Sequence, residues 1–413
     1  MSVPELPLKY LVDPARSITY GIVQAGEDVA DGVPYIRPVD MTDASGVPDP
    51  DALRRTAPEI AATYRRSEVR RGDLVVSIGP SFGKIMVVPE ALGGANLTQG
   101  TARVAPGRRA YPGFLYWVLQ SAPVRSQWDA AVGGATFRAL NLEPLGLTRV
   151  PVPPLEEQRR IADFLDTETA HLDAVLAARE SQERLELERW RSMVAAAVLR
   201  EARRDVPLKH LFEDTFAGTW GTDPGTGERD LPCARVADFD RENYRIVDVP
   251  TLRAVAQREA RHKGLRAGDI LLEKSGGTQA KPVGCAVMYE GAPGAVCSNF
   301  IQVLRPGKAT VPRYVGYLMA ALYETRQNGA FVHQTTGIQN LDLASYLSLK
   351  VALPSIDAQE ATVQDLDRDR SHSRSLRDAL NQSRSLIVER RQALITAAVT
   401  GRLDVTTARG GRS

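Results

Sequence analysis

The sequence predicts a mixed α/β (α+β) chain, internally duplicated, with two long helices that pair as an antiparallel coiled coil and give the molecule a pseudo-twofold axis. Three observations carry this. The chain repeats itself at a shift of about 200 residues. The first part of each repeat has short β-branched runs punctuated by Gly and Pro. The second part of each is free of Pro, nearly free of Gly, and rich in Ala, Leu, Glu, Arg and Gln.

The repeat is legible from end to end. LPLKYLVDP (Leu6 to Pro14) answers VPLKHLFED (Val206 to Asp214), and VPYIRPVDM (Val33 to Met41) answers LPCARVADF (Leu231 to Phe239). RRGDLVVS (Arg70 to Ser77) answers RAGDILLE (Arg266 to Glu273), and TFRALNLEPL (Thr136 to Leu145) answers GIQNLDLASY (Gly337 to Tyr346). VPVPPLEEQ (Val150 to Gln158) answers VALPSIDAQ (Val351 to Gln359). Matches in one order over nearly the whole chain imply duplication of one unit, with insertions confined to loops.

Strands are expected at LVVSI (Leu74 to Ile78), KIMVV (Lys84 to Val88) and AVCSNFIQVL (Ala295 to Leu304). Long helices are expected over Glu156 to Arg200 and Asp357 to Arg402, each roughly 65 Å long at 1.5 Å per residue. Pro153-Pro154 stops the preceding strand, and Glu156 and Glu157 place negative charge at the positive end of the first helix. A helix of that length needs a partner for its apolar stripe. Ile161, Leu165, Leu172, Leu176, Leu187, Trp190 and Val194 supply the stripe in the first, and Leu376, Leu380, Ile387 and Leu394 in the second. The domain reading is 1–153 and 205–354 as globules, 154–204 and 355–404 as helical regions, and 405–413 as a disordered tail.

Composition bounds the function without naming it. At 413 residues, 43% hydrophobic and 25% charged, the chain can fill two or three cores. It opens on neither a secretion signal nor a transit peptide and has no bilayer-length apolar run, so a cytoplasmic protein is expected. Cys233, Cys285 and Cys297 lack the paired close spacing of a zinc site and read as reduced, semi-buried thiols. Net charge is +2, from 52 basic against 50 acidic residues, a balance compatible with a local basic groove.

Catalytic readings fail on spacing. GPSFGKI (Gly79 to Ile85) has three residues between its glycines where a phosphate loop has four, and Ile85 where Mg²⁺ binding needs Ser or Thr. GGTQAK (Gly276 to Lys281) fails likewise. No glycine-rich methyl-donor turn, clustered carboxylates or grouped histidines stand out, so no catalytic or metal-ligating residue is expected.

The globule-helix-globule-helix order, with PPLEEQRRIADFLD (Pro153 to Asp166) opening the first helix, resembles the specificity subunits of type I restriction-modification systems over essentially the whole chain. The second copy of that run, LPSIDAQEATVQDLD (Leu353 to Asp367), keeps Pro354 and Gln359 but lacks the Arg pair. The resemblance implies a non-catalytic subunit whose two target recognition domains read the halves of a split double-stranded DNA sequence. It implies helical regions that set the gap and dock two methyltransferase subunits, with two restriction subunits for cleavage. S-adenosylmethionine, ATP and Mg²⁺ would then belong to the partners, and no cofactor to this chain. Two alternatives stay open: the specificity subunit of a fused methyltransferase-nuclease system, and a coiled-coil adaptor that binds proteins.

A DNA reader needs donors for phosphate oxygens and polar side chains that reach base edges, on loops where glycine lets the backbone approach. SIGPSFGK (Ser77 to Lys84) offers Ser81, Phe82 and Lys84, and KSGGTQAK (Lys274 to Lys281) offers Lys274, Ser275, Thr278, Gln279 and Lys281. A second pair of segments offers Thr136 and Arg138 in the first half, and His333, Gln334, Thr335 and Gln339 in the second. As bare sequence, the first pair equally fits hairpin turns that need glycine, and the second pair fits capped turns holding each domain to its helix.

Overall fold

The computed structural model describes residues 3–41, 48–133, 139–200, 205–226, 229–279, 281–335 and 337–405. Residues 406–413, where most of the expected tail falls, lie outside the described residues. The chain divides into two compact units, Met1–Ala178 with Gln382–Ser413, and Arg179–Asn381. Each holds one globule and a segment of both long helices.

In the first unit, Glu5–Pro7 pairs antiparallel with Arg149–Pro151, so the first and last strands of the globule close on each other. A four-stranded antiparallel sheet runs in the order Thr19–Tyr20, Thr101–Val104, Leu74–Ser77, Ile85–Val87. A second, three-stranded sheet has Val33–Ile36 at its centre, antiparallel to Arg55–Thr56 and parallel to Asn96–Leu97. The helices Pro112–Gln120 and Ala122–Val132 bring Phe114, Leu115, Val118 and Trp128 into the core formed with Leu74, Val76 and Val104.

The second unit repeats the plan. Val206–Pro207 pairs with Lys350–Val351. A five-stranded sheet runs Phe212–Ala217, Ile301–Pro306, Ile270–Glu273, Ala286–Tyr289, Arg245–Ile246. Arg229–Ala234 sits between antiparallel Leu252–Val255 and parallel Val296–Cys297. The expected run Ala295 to Leu304 is therefore two strands, Val296–Cys297 in one sheet and Ile301–Pro306 in the other. In the second unit Val332–Thr335 and Ile338–Leu341 form a hairpin, in whose turn Gly337 takes φ +84°.

The repeated Arg-x-Gly-Asp has a structural cause. Asp73 is buried and accepts a hydrogen bond from the Arg70 backbone N–H at 2.8 Å, and Asp269 does the same for Arg266 at 2.8 Å. The Arg37–Asp40 pair is likewise repeated by Arg235–Asp238, each arginine meeting its aspartate through both backbone and guanidinium.

The long helices span Leu155–Val198 and Ile356–Val399. In the first unit they run antiparallel: Arg391 lies 3.1 Å from Asp173, and Ile395, Ala398 and Val399 share a core with Ile161, Ala162 and Leu165. In the second unit Trp190 and Arg377 both reach Glu242, and Val194 and Val198 share a core with Leu366. One expectation is corrected here. Leu376, assigned to the stripe of the second helix, is exposed, because the buried face there runs through Leu366, Arg370, Ser373, Arg377 and Leu380. Polar residues take the inward positions because the globule supplies partners: Arg377 pairs with Glu242 at 2.6 Å and Arg370 reaches Asn243 at 3.4 Å.

The glutamines of the helix-opening runs fasten globule to helix. Gln158, buried, accepts from the Tyr111 N–H at 2.8 Å and donates to the carbonyls of Arg109 and Pro153. Gln359 does the same with Val311, Ala309 and Pro354. About two turns on, Asp166 accepts from the Trp117 indole at 2.7 Å and Asp367 from the Tyr317 hydroxyl at 2.5 Å. These are the residues that carry the family resemblance, and their work is to set the angle between domain and helix.

Candidate nucleic-acid interface

The first loop leaves the strand Leu74–Ser77 and returns into Ile85–Val87. Buried Ser77 organises it: its hydroxyl donates to the Ser81 carbonyl at 2.9 Å and accepts from the Lys84 N–H at 2.8 Å. Gly83 closes the loop onto the Ser77 carbonyl at φ +92°, where a Cβ would stand 2.0 Å from the Arg125 guanidinium. Ser81 is exposed. Phe82 is half-buried against the core, and Lys84 donates to the Met41 carbonyl at 2.8 Å. Two of the three side chains expected to face DNA thus make contacts that hold the loop.

The second loop opens at the matching place and is longer. Glu273 takes the position of Ser77, and Gly284, at φ +101°, closes onto its carbonyl at 2.9 Å as Gly83 does. The structural counterpart of Lys84 is therefore Cys285, not Lys281, and the extra residues fall between Lys274 and Lys281. Thr278, Gln279 and Lys281 are exposed. Thr278 shapes the tip, its hydroxyl accepting from the Lys281 N–H at 3.1 Å. Lys274 is half-buried with its ammonium 3.5 Å from the Gln302 Oε1, and burial holds its pKa below the ordinary lysine range. Glu273 beneath it pairs with Arg241 at 2.8 Å, and burial raises its pKa in spite of that partner.

The structure joins the two predicted segments of each half by an equivalent backbone hydrogen bond. Leu140 N–H donates to the Ile78 carbonyl at 2.9 Å in the first unit, and Leu341 N–H to the Lys274 carbonyl at 2.9 Å in the second. In the second unit the hairpin adds a Ser275–Asn340 bridge, with the Ser275 hydroxyl 2.6 Å from the Asn340 Oδ1. His333 and Gln334 are exposed on that hairpin. Gln339 is buried, accepting from the Val283 N–H at 3.3 Å, so it ties hairpin to loop. Thr136 and Arg138 lie outside the described residues, as does the side chain of Thr335.

Each joined pair of segments borders a cavity. In the first unit about 540 Å³ is enclosed by Tyr20, the Ile78 to Pro80 backbone, Gln99, Gly100 and residues 139–142. In the second about 510 Å³ lies beside Ser275 and Gly276, walled by Trp220, Arg235, Asn299 and Phe300. Trp220 and Phe300 are partly exposed, and Arg253 stacks 4.7 Å over the Trp220 ring. Neither aromatic is signalled by sequence, since Phe300 aligns with Gly100 on the equivalent turn.

A third feature has no counterpart among the expected residues. A cleft of about 900 Å³ in the first unit is lined by Arg16, Arg65, Arg66, Arg70 and Arg103, with Glu68. The YRRSEVRRG run (Tyr64 to Gly72) is a basic cluster that signals three of these; Arg16 and Arg103 join it only through the fold. Among the described residues no three His, Cys, Asp or Glu side chains converge as metal ligands, and no helix is long and apolar enough to cross a membrane.

Comparison with known proteins bears on this geometry. A type I restriction modification DNA specificity domain matches residues 24–186. The type I restriction enzyme EcoBI specificity subunit of Escherichia coli is 32% identical over 172 residues, 41% of this chain and 36% of that one. The match thus spans little more than a third of that relative's length. The StySPI specificity subunit of Salmonella potsdam is 22% identical over 317 residues, covering 72% of this chain and 67% of the other. Among solved structures, a chain described in connection with assembly and conformational transition of the type I R-M system has a TM-score of 0.72 at 19% identity, over 97% of this chain and 98% of that one. The HsdS subunit of Thermoanaerobacter tengcongensis has a TM-score of 0.50 at 18% identity, over 97% of both chains. The likeness covers both globules and both long helices.

Proposed function

We propose that this chain is a specificity subunit of a type I restriction-modification system and that it reads a bipartite double-stranded DNA target, one half with each unit. The observation that carries this reading is the repeated backbone hydrogen bond, Leu140 to Ile78 and Leu341 to Lys274, which joins two polar loops into one edge in each unit. Rigid strands beneath and exposed polar side chains above are what base readout requires.

In the second unit the reading side chains are Thr278, Gln279, Lys281, His333 and Gln334, which are exposed on the joined edge. Lys274, Ser275 and Gln339 hold that edge in shape. In the first unit Ser81 is the exposed member of its loop, with Phe82 and Lys84 supporting it, and Thr136 and Arg138 complete the set. The loops differ in length and composition while the frames match, so the two half-sites differ in sequence.

The long helices set the unspecified gap between half-sites and dock two methyltransferase subunits, with restriction subunits added for cleavage. The chain itself is non-catalytic and carries no cofactor; S-adenosylmethionine, ATP and Mg²⁺ belong to the partners, and the complex works in the cytoplasm.

Adenine-methylation mapping of DNA from cells that express this chain, with and without its methyltransferase partner, tests the reading. A split motif with a fixed gap, lost when this chain is deleted, is the expected result. A continuous motif, or one independent of this chain, would overturn it. One added heptad in each long helix is expected to change the gap and leave both half-sites intact.

A further inference from the structure

The arginine cleft of the first unit lies outside every segment considered for base reading, yet it adjoins them. Tyr20 and Leu142 wall both this cleft and the cavity beside the Ile78 to Pro80 loop, so the two hollows adjoin. DNA seated on the loop would lay its backbone across the cleft.

The charge in the cleft is not neutralised internally. Arg16 is engaged by Asp73 through both guanidinium nitrogens, at 2.8 and 2.5 Å. Arg65, Arg66 and Arg70 are exposed and have no ion-pair partner among the described residues. Arg103 forms the floor. It is buried and donates to the main-chain carbonyls of Arg66, Glu68 and Ser17, while its Nε has no hydrogen-bond partner. Burial, then the neighbouring charge of Arg16, holds the Arg103 pKa below the ordinary range, with Arg70 acting in the same direction. Glu68, the one carboxylate in the wall among the described residues, turns its carbonyl, not its carboxylate, to Arg103. A surplus of planar guanidinium donors in a concave site matches a tetrahedral anion.

The second unit builds the matching place on different residues. Strand register puts Val303 where the first unit has Arg103, and Phe216 where it has Thr19. Arg261, His262 and Arg266 are exposed at the positions of Arg65, Arg66 and Arg70, but the floor differs, with Val303 buried and Phe216 under the Arg305 guanidinium at 5.3 Å.

We propose that the arginine cleft is a phosphate site that clamps the DNA backbone beside the first half-site. It rests on the DNA-reading function proposed above. Phosphate contacts position the duplex without reading sequence, so the cleft fixes where the first unit sits on its half-site.

The test uses the full complex with its methyltransferase subunits, measuring affinity for target and non-target duplexes across a salt series. Arg66→Ala and Arg70→Ala are each expected to reduce the slope of log affinity against log salt by about 0.9, the value for one phosphate contact. Over a fourfold rise in salt each variant then loses about threefold less affinity than the parent. Both duplexes weaken alike and the methylated motif is unchanged. An unchanged slope in both first-unit variants overturns the clamp, and so does a changed first half-site, which would make these arginines readers of bases. A parent complex with no salt-dependent affinity for either duplex overturns the DNA-reading function itself, an outcome distinct from failure of the variants alone.

Discussion

In the first unit the buried carboxylate of the Arg-x-Gly-Asp turn is neutralised by Arg16, which arrives from the segment before the first sheet strand. In the second unit the same carboxylate, Asp269, is neutralised by Arg305, the next-to-last residue of the strand Ile301–Pro306, through bonds of 2.9 Å from both Nε and Nη2. The two units share an interaction without sharing the residue that makes it. A buried carboxylate demands a cation, and any backbone position that can deliver a guanidinium to it satisfies the demand. Moving that arginine onto a strand also changes the surface: in the first unit Arg16 borders an electropositive cleft, and in the second the charge is withdrawn beneath Asp214 and Asp269.

The sharpest way to break this comparison is to remove the carboxylates. Asp73→Ala leaves Arg16 facing other arginines and is expected to destabilise the first unit by about 3–5 kcal/mol, the range for breaking a buried pair. Asp269→Ala leaves Arg305 with Asp214 at 3.4 Å and should cost about 1 kcal/mol less. Urea unfolding, with hydrogen exchange reporting on each unit, measures both, and equal losses would mean that Asp214 gives no reserve.

Next in size are the glutamine clamps. Gln158→Ala and Gln359→Ala each remove three hydrogen bonds and strand backbone groups, at about 2–3 kcal/mol apiece. Here the units should respond alike, since their distances match; a gap of more than about 1 kcal/mol would show that the shared geometry hides unequal strain.

Smaller and confined to one unit is the effect of the reading loop. Gln279→Ala or His333→Ala is expected to cost about 1–3 kcal/mol of discrimination at one position of one half-site, as for a single base contact. The other half-site and the gap should stay unchanged on a methylation map. A change in both halves would end the assignment of one half to each unit.

The smallest expected effect is a pH dependence. Burial raises the Glu273 pKa, and that of Glu324, above the ordinary carboxylate value. The folded state therefore binds more protons than the unfolded chain in that window. The stability these groups contribute is complete below the unfolded glutamate pKa and is lost as pH rises through the folded value. Ser77, at the position of Glu273, titrates nothing, so Glu273→Gln should flatten this decline in the second unit and leave the first unchanged. An unaltered profile, read by unfolding at a series of pH values, would assign the decline to Glu324.

Much of this was legible in the sequence because it is written locally. The helices follow from long Pro-free stretches, and their antiparallel pairing follows from chain order. The loops follow from glycine next to β-branched runs, and the Gly-Asp turn from its two copies. What escaped depends on contacts between distant segments. That Phe82 leans on the core, that Gln339 spends its side chain on Val283, and that Lys84 is matched by Cys285 are consequences of where strands end and return. The exposure of Leu376 follows from Glu242 and Asn243 offering polar partners to Arg377 and Arg370, more than 100 residues away in sequence. Arg16 and Arg103 are in the cleft because Thr19 pairs with Arg103, a register no linear pattern reveals.

The division of the chain has a consequence for how it is made. The second unit is one continuous stretch, Arg179–Asn381, while the first is completed by residues after Gln382. During synthesis the first globule leaves the ribosome early but waits for Ile395, Ala398 and Val399 to cover Ile161 and Leu165. The second unit, emerging between, has every piece it needs beforehand. The side chains that cover this apolar helix face are thus made some two hundred peptide bonds after it.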